Sequence, residues 1–214
     1  MTSHPEPSET RLLIKMFALA ILGGFLGATI YSLSALHSRS IQSEQPQAIS
    51  TSISQIAPNI TTSREGYVLI EFMDYQCPPC RASQGRLNEV LGKYGAKLQF
   101  VAKHYPLEMH QNAFNAAVAA EAARDQDKFH QMHKALLAGN SLNPEEIQTI
   151  SRQIGLDKNR FKLSIQGNAL RRVKADMKIA EDLHLDSTPS WLLCTPEGKI
   201  WHLKSLAQVQ ELIK

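Results

Sequence analysis

Two cysteines separated by two prolines are the residues of this sequence with the clearest chemical potential. Cys77 and Cys80 stand in the segment EFMDYQCPPCRASQ, which runs from Glu71 to Gln84. Such a pair can exchange disulfides with other thiols, supply half of a tetrahedral zinc site, or form a structural disulfide. A structural role is disfavoured, because a loop with two intervening residues removes little entropy from the unfolded chain.

A metal site lacks the further ligands that the usual spacings would supply. Structural zinc takes four ligands, yet the only other cysteine in the sequence is Cys194, which we interpret as a small core or rim residue. His130 and His133 share one face of a predicted helix, but they lie in an amphipathic run and are interpreted as packing or surface residues. A copper-handling role for Cys77 and Cys80 stays open as an alternative.

The surrounding elements are predicted to place both sulfurs at one end of a sheet. The apolar run YVLIEFM, Tyr67 to Met73, is typical of a buried strand. Pro78 suits the first turn of a helix, so Cys77 falls near the N-cap and Cys80 in the first turn. The run KLQFVAKHYPL then predicts a second buried strand, which completes a parallel βαβ unit with the cysteines beyond the carboxyl end of its first strand.

A cysteine at the start of a helix is suited to nucleophilic chemistry. The helix dipole and the free N–H groups stabilise an anion there and favour the thiolate. We therefore expect Cys77 to be the nucleophile and the shielded Cys80 to resolve the mixed disulfide, with no cofactor beyond the redox-active pair itself. Glu71 is an acid within the apolar strand: if buried, it could take the proton of Cys80, and a solvent-facing acid is the equal alternative.

The rest of the globular sequence predicts a helical block, two strands and a terminal helix. The block begins with the alanine-rich run NAFNAAVAAEAARDQ, the runs PSWLLCT and GKIWHL predict a hairpin, and SLAQVQELIK predicts the last helix. Thr188-Pro189 directly precedes the hairpin, where a cis-proline turn competes with a trans turn. A βαβ half and a ββα half around a helical insertion make an α/β architecture.

The N-terminal part of the chain is predicted to lie outside this globular domain. From Met16 to Leu36 there are 21 uncharged residues, enough for a single transmembrane helix, which we favour over a cleaved signal peptide. Arg11 and Lys15 precede this run, so we expect a cytoplasmic N-terminus and a domain on the periplasmic side or at the cell surface. The predicted segments are a cytoplasmic tail (1–11), a transmembrane anchor (12–36), a linker (37–65), a domain in two parts (66–109 and 186–214) and a helical insertion (110–185).

Composition excludes two other classes of protein. The 214 residues carry a net charge of +3 without a block of lysine and arginine, so a nucleic-acid partner is not indicated. Three cysteines are too few for a secreted scaffold built on disulfides.

Several motifs together resemble the DsbA-like thiol-disulfide oxidoreductases of the thioredoxin superfamily. The motifs EFMDYQCPPC, KHYPLEMHQNAFNAAVAAEAA, DKFHQMHKAL and STPSW occur in the order expected of that family, from about Tyr67 to Lys214. The resemblance implies a thioredoxin fold with an inserted helical domain.

By position, the resemblance also implies roles for individual residues. Cys77 would be the exposed nucleophile and Cys80 the resolving thiol, with Glu71 as the buried acid beneath them. Pro189 would be the cis-proline facing the disulfide, and Thr188 would contact the substrate backbone and tune the redox poise.

The dipeptide between the cysteines departs from the family pattern. Many relatives carry a histidine or tyrosine there, whereas Pro78 and Pro79 offer no imidazole to aid the Cys77 thiolate. We expect these prolines to tune the redox poise.

The expected function is net oxidation of cysteine pairs in exported proteins. The resemblance implies a membrane redox partner of the DsbB or VKOR type. A reductase or isomerase of the same fold, and a membrane-tethered chaperone whose thiols are incidental, stay open as alternatives.

Overall fold

The computed structural model describes residues 45–57 and 66–213. The predicted cytoplasmic tail, the predicted anchor and most of the predicted linker lie outside these residues. Within the described ranges, no helix is both long and apolar enough to cross a membrane.

One mixed sheet organises the described part of the chain. Its five strands are arranged in the order β1-β5-β4-β2-β3, with β2 and β3 parallel and the other neighbours antiparallel. The strands are β1 (Gln47–Ile49), β2 (Tyr67–Met73), β3 (Leu98–His104), β4 (Ser190–Cys194) and β5 (Ile200–Leu203).

Helices cover the sheet and fill the long connection between β3 and β4. They are α1 (Ile53–Ile56), α2 (Pro78–Tyr94), α3 (Ala113–Arg124), α4 (Phe129–Ala138), α5 (Pro144–Gln153), α6 (Lys158–Gln166), α7 (Asn168–Asp182) and α8 (Val209–Leu212). The α/β thioredoxin-like fold with an inserted helical region, which the sequence predicted, is therefore confirmed. The inserted helices are α3 to α7.

Strand β2 runs through the middle of the domain because its residues are apolar on both faces. All seven are buried, and side chains alternate between two cores. Leu69 packs on the side of α2 and α8, whereas Val68 and Ile70 pack on the opposite side. Glu71 occupies a position of the same parity as Leu69, so it points to the α2 side of the sheet.

Strand β3 is less buried than the sequence predicted. We expected a second buried strand, but Gln99 is exposed and the four residues from Phe100 to Lys103 are only half-buried. The reason is its place at the edge of the sheet, where only β2 pairs with it.

Part of the predicted linker belongs to the domain. Within the segment 37–65, residues Gln47–Ile49 pair antiparallel with β5, and Ile56 of the short helix α1 is 1% exposed in a core cluster with Val68 and Leu192. The pairing covers an edge of the sheet that β5 would otherwise expose.

The alanine-rich helix α3 forms the centre of the helical insertion. Nine of its twelve residues are buried, and the small side chains allow α4, α6 and α7 to approach closely. The core around α3 continues without a break to Met73, Tyr75 and both cysteines of the C-x-x-C motif. The insertion therefore packs directly against the segment that carries the candidate chemistry.

Candidate active site

Helix α2 begins immediately after the first cysteine. Cys77 is the N-cap residue in an extended conformation, and Pro78 and Pro79 occupy the first two helical positions, where missing N–H groups cost nothing. Cys80 follows in the first turn. The predicted positions of both cysteines are thus confirmed, and the two prolines are exposed at the surface between them.

Cys77 contacts the loop that precedes β4. Its thiol donates a hydrogen bond to the carbonyl oxygen of Thr188, with 3.1 Å between Sγ and the oxygen, and the Thr188-Pro189 peptide bond is cis. The cis form, one of the two turns considered from the sequence, is therefore the one present. The expectation that Cys77 is exposed is wrong for this structure: only 4% of its surface reaches solvent, because the Thr188 loop lies over it.

Cys80 lies fully inside the protein. Its sulfur accepts a long hydrogen bond, 3.5 Å, from the backbone N–H of Asp74. Burial raises the pKa of the Cys80 thiol far above its usual range, and nearby Cys77 and Glu71 raise it further, whereas the Asp74 N–H opposes the shift. Cys80 is therefore held as a neutral thiol in the reduced pair.

Glu71 is buried beneath the cysteines, so the alternative of a solvent-facing acid is wrong. Its exposed fraction is 0%, and neither carboxylate oxygen has a hydrogen-bond partner among the described residues. Burial raises its pKa from 4.5 to about 8, and the nearby side chain of Gln84 opposes this shift. A carboxyl group with that pKa can release and take up a proton near neutral pH.

Asp74 is a site residue that the sequence analysis missed. It is 1% exposed, and its backbone contacts both cysteines: the carbonyl accepts from Cys77 N–H at 3.2 Å, and the N–H donates to Cys80. Its carboxylate Oδ1 accepts from the N–H of Gln76 at 2.6 Å. The sequence signal that could have found it is an aspartate directly after a predicted strand. The carboxylate of such a residue can accept from the backbone N–H two residues later and form an Asx turn.

Two side chains fasten the active-site segment to the helical insertion. Gln76 accepts from the N–H of Asn112 at 2.6 Å and donates to the carbonyl of Ser141 at 3.0 Å. Arg81 donates to the carbonyl of Tyr75 at 2.7 Å and to that of Gly139 at 2.5 Å. These bonds join the start of α2 to the loops that precede α3 and α5.

The hydroxyl of Tyr75 contacts a histidine of the helical insertion. The Tyr75 hydroxyl is 2.9 Å from His133 Nδ1, and burial together with neighbouring cationic groups lowers the pKa of His133 to about 4. His133 is thus neutral at pH 7 and half-buried, packed against Tyr75 and Phe129, while His130 is exposed. The part of the chain that the structure describes contains no group of three or more His, Cys, Asp and Glu placed to hold a metal.

Cys194 lies apart from the pair, in the middle of the core. It belongs to β4, pairs with Val68 and Ile200, and is 0% exposed. Burial raises the pKa of its thiol to about 12, which makes it unreactive at neutral pH. The prediction of a small core residue is confirmed.

Comparison with protein families and solved structures gives a consistent match. A family model named Thioredoxin_4 and described as thioredoxin matches residues 66–214. A thioredoxin-like oxidoreductase from Silicibacter pomeroyi DSS-3 is similar with a TM-score of 0.62 and 24% identity, over 75% of this chain and 95% of that chain. The thiol-disulfide exchange protein alpha-DsbA2 from Wolbachia pipientis is similar with a TM-score of 0.61 and 20% identity, over 75% and 89% of the two chains.

Curated relatives with higher identity are larger proteins. The Na(+)/H(+) antiporter NhaA 1 of Mycobacterium sp. (strain KMS) is 35% identical over 150 residues, which are 67% of this chain and 24% of the antiporter. The Na(+)/H(+) antiporter NhaA 3 of Salinispora tropica is 30% identical over 128 residues, which are 58% and 20% of the two proteins. The chain thus spans about a quarter of the length of the curated relatives that it matches.

Proposed function

This chain belongs to the thioredoxin family and has the fold of its DsbA-like thiol-disulfide oxidoreductases, and we propose that it oxidises cysteine pairs of exported proteins. One observation carries the proposal. Cys77 caps the start of α2 against the cis Thr188-Pro189 loop, while Cys80 lies behind it, above the buried acid Glu71. The two thiols differ in environment as a nucleophile and a resolving thiol must.

The exchange needs only thiols and one disulfide. In the oxidised chain, a substrate thiolate attacks Sγ of Cys77, the Cys77–Cys80 bond breaks, and Cys80 leaves with the electron pair. A second substrate thiolate then attacks the substrate sulfur bound to Cys77, forms the substrate disulfide and releases Cys77 as a thiolate. Two electrons pass from the substrate to the pair, and the two protons of the substrate thiols end on Cys77 and Cys80.

Glu71 supplies the proton that Cys80 needs. A thiolate at Cys80 is costly because the sulfur is fully buried. Protonated Glu71, with its pKa of about 8, donates to this sulfur as the disulfide breaks and takes the proton back when the pair is reoxidised. The carboxylate left on Glu71 regains a proton from solution, so in total the reduced pair gains the two protons that the substrate thiols lose.

The loop before β4 and the two prolines shape the approach of the substrate. Thr188 and Pro189 adjoin Cys77, so an extended substrate backbone that reaches Cys77 meets this loop first. In the proposal, Thr188 contacts the substrate backbone, and Pro78 and Pro79 tune the redox poise without offering a charged or hydrogen-bonding side chain.

The proposed setting is the outer side of a membrane. Residues 12–36 anchor the chain, and a membrane protein of the DsbB or VKOR type, linked to a quinone, accepts the two electrons and restores the disulfide. The curated relatives are named as Na(+)/H(+) antiporters, which supports a domain of this type working beside a membrane.

A reductase is the second candidate function. It is favoured by the C-P-P-C sequence, because no imidazole stands between the cysteines to stabilise the Cys77 thiolate. The oxidase and the reductase differ in whether the dithiol or the disulfide form of the Cys77–Cys80 pair is the more stable.

The experiment that tests the function uses the full-length chain in detergent with its pair oxidised. It is mixed with a reduced, unfolded protein that has two cysteines, and substrate thiols are counted over time. Loss of two thiols per chain supports the oxidase, with Cys77→Ser inactive and the core variant Cys194→Ala unchanged. No loss of thiols, together with rapid reduction of insulin disulfides by the reduced chain, overturns the oxidase in favour of the reductase.

A further inference from the structure

The carboxylate of Asp74 lies between the active-site segment and the loop that connects β3 to α3. Its Oδ1 accepts from Gln76 N–H, which follows in the active-site segment. Its Oδ2 accepts from Leu107 N–H at 2.8 Å and lies 2.7 Å from His110 Nδ1. The two loops thus share one buried carboxylate.

His110 is the one side chain among these donors. The other two are backbone N–H groups, and no further side chain in the described ranges is hydrogen-bonded to the Asp74 carboxylate. The imidazole is 19% exposed, whereas the Asp74 side chain is 0% exposed. Nδ1 of His110 therefore carries a hydrogen toward Oδ2, while the rest of the ring reaches the surface beside the site.

Asp74 passes any change in its position to both cysteines. Its carbonyl oxygen accepts from Cys77 N–H, and its own N–H donates to the sulfur of Cys80. The same residue also brings a negative charge close to a pair that must form a thiolate. A buried carboxylate with too few donors would oppose that thiolate through charge repulsion, and each donor it gains reduces the repulsion.

We propose that Asp74 and His110 are a positioning pair that sets the reactivity of Cys77. His110 donates a hydrogen bond that fixes the Asp74 carboxylate, and Asp74 in turn fixes the backbone at Cys77 and Cys80. This role rests on the proposed disulfide exchange, but it concerns the thiolate of Cys77 and not the direction of electron flow. Neither residue touches the reacting sulfur through its side chain, so both act through the active-site segment.

The test measures how fast Cys77 is alkylated by iodoacetamide at about pH 6 in the reduced full-length chain, with the modified residue identified by mass. In His110→Ala the carboxylate loses a donor and repels the Cys77 thiolate more strongly, so we expect alkylation to slow about three- to tenfold. In Asp74→Asn the negative charge is gone, so alkylation should equal or exceed that of the unaltered chain.

The double variant separates positioning from simple damage. Without the charge of Asp74 the hydrogen bond from His110 has no repulsion to offset, so Asp74→Asn combined with His110→Ala should match Asp74→Asn alone. His110→Asn keeps an N–H donor and should react within about twofold of the unaltered chain. His130→Ala, at an exposed histidine, is the matched control.

Two results would overturn the pairing. One is equal slowing in His110→Ala and Asp74→Asn, which indicates general loss of structure. The other is unchanged alkylation in His110→Ala. Because alkylation of the reduced chain needs no disulfide cycling, the test decides the role of the pair even if the chain fails to oxidise any substrate. The count of substrate thiols described above decides that second question separately.

Discussion

The sulfur of Cys77 and the carbonyl oxygen of Thr188 lie 3.1 Å apart, although 111 residues separate them in the chain. This contact brings the start of α2, which follows β2, against the loop before β4. Strands β2 and β4 are neighbours in the sheet. The reactive end of the domain is therefore made from the βαβ half and the ββα half together. The helical insertion between them packs against the same segment from the other side.

The two cysteines should trap different species when each is replaced. In Cys80→Ser the resolving thiol is missing, so a mixed disulfide between Cys77 and a substrate protein should accumulate on non-reducing gels. Cys77→Ser should form none, because Cys80 is buried and held as a neutral thiol. Equal trapping by both variants would contradict the assignment of the nucleophile. Cys194→Ala, with both active-site cysteines intact, should trap no more than the unaltered chain.

Replacing Glu71 should change how stability depends on pH. Its pKa is about 8 in the folded protein and near 4.5 in the unfolded chain, so the folded state binds the extra proton between these values. The free energy of unfolding should therefore fall as pH rises from about 5 to 8, by up to about 4 kcal/mol. In Glu71→Gln this decline should be absent.

Urea unfolding at several pH values measures this effect. Glu71→Gln should be more stable than the unaltered chain at pH 8 and closest to it at pH 5. Parallel curves for the two proteins would mean that Glu71 is not the group whose proton is lost. Glu89→Gln, at an exposed surface acid, is the control and should leave the decline in place.

An exposed methionine beside the site should contribute to substrate binding. Met109 is 81% exposed and lies next to His110 in the loop that is bonded to Asp74. Contact with an apolar side chain of an unfolded substrate would stabilise the complex by about 1 kcal/mol. We expect Met109→Ser to lower kcat/KM several-fold for an unfolded protein and to leave the reaction with glutathione unchanged.

The matched control for this prediction is Leu163 in α6, which is 71% exposed. Leu163→Ser removes similar apolar surface on another helix and should leave both reactions unchanged. An equal loss in both variants, or a loss with glutathione as well, would rule out a specific contact at Met109.

Arg81 should stabilise the junction between α2 and the insertion. It donates to the carbonyl groups of Tyr75 and Gly139. Arg81→Met leaves both acceptors without this donor, and we expect a loss of about 1 to 3 kcal/mol in the free energy of unfolding. Arg86→Met, which breaks a surface pair with Glu89, should cost less than about 1 kcal/mol. Equal losses would show that the junction is not held by Arg81.

Local patterns in the sequence were sufficient to predict most of the architecture. The bounds of β2, the start of α2 at Pro78 and the position of Cys77 as N-cap follow from apolar runs and proline chemistry, and the structure has each of them. The edge position of β3 could not be predicted, since burial on a strand depends on how many neighbours the sheet provides. The strand Gln47–Ile49 was missed because three residues carry too little pattern to stand out in a polar segment.

The candidate site was predictable only where its residues are close in sequence. The C-x-x-C pair, Glu71 and Thr188-Pro189 carry recognisable signals in their own segments. Asp74 and His110 are 36 residues apart, and nothing in either segment indicates that they meet. Burial of Cys77 was also not predictable, because the loop that covers it begins more than a hundred residues later.

The reduction potential of the Cys77–Cys80 couple decides whether the chain can oxidise substrate thiols. The full-length chain is equilibrated with mixtures of reduced and oxidised glutathione, and the fraction of dithiol is measured at each ratio, with Cys194→Ala as a control that isolates the pair. We predict a potential close to that of DsbA, about −120 mV, at which the disulfide readily accepts electrons from substrate thiols. A value close to that of thioredoxin, about −270 mV, would contradict the proposed oxidation and make the chain a reductant.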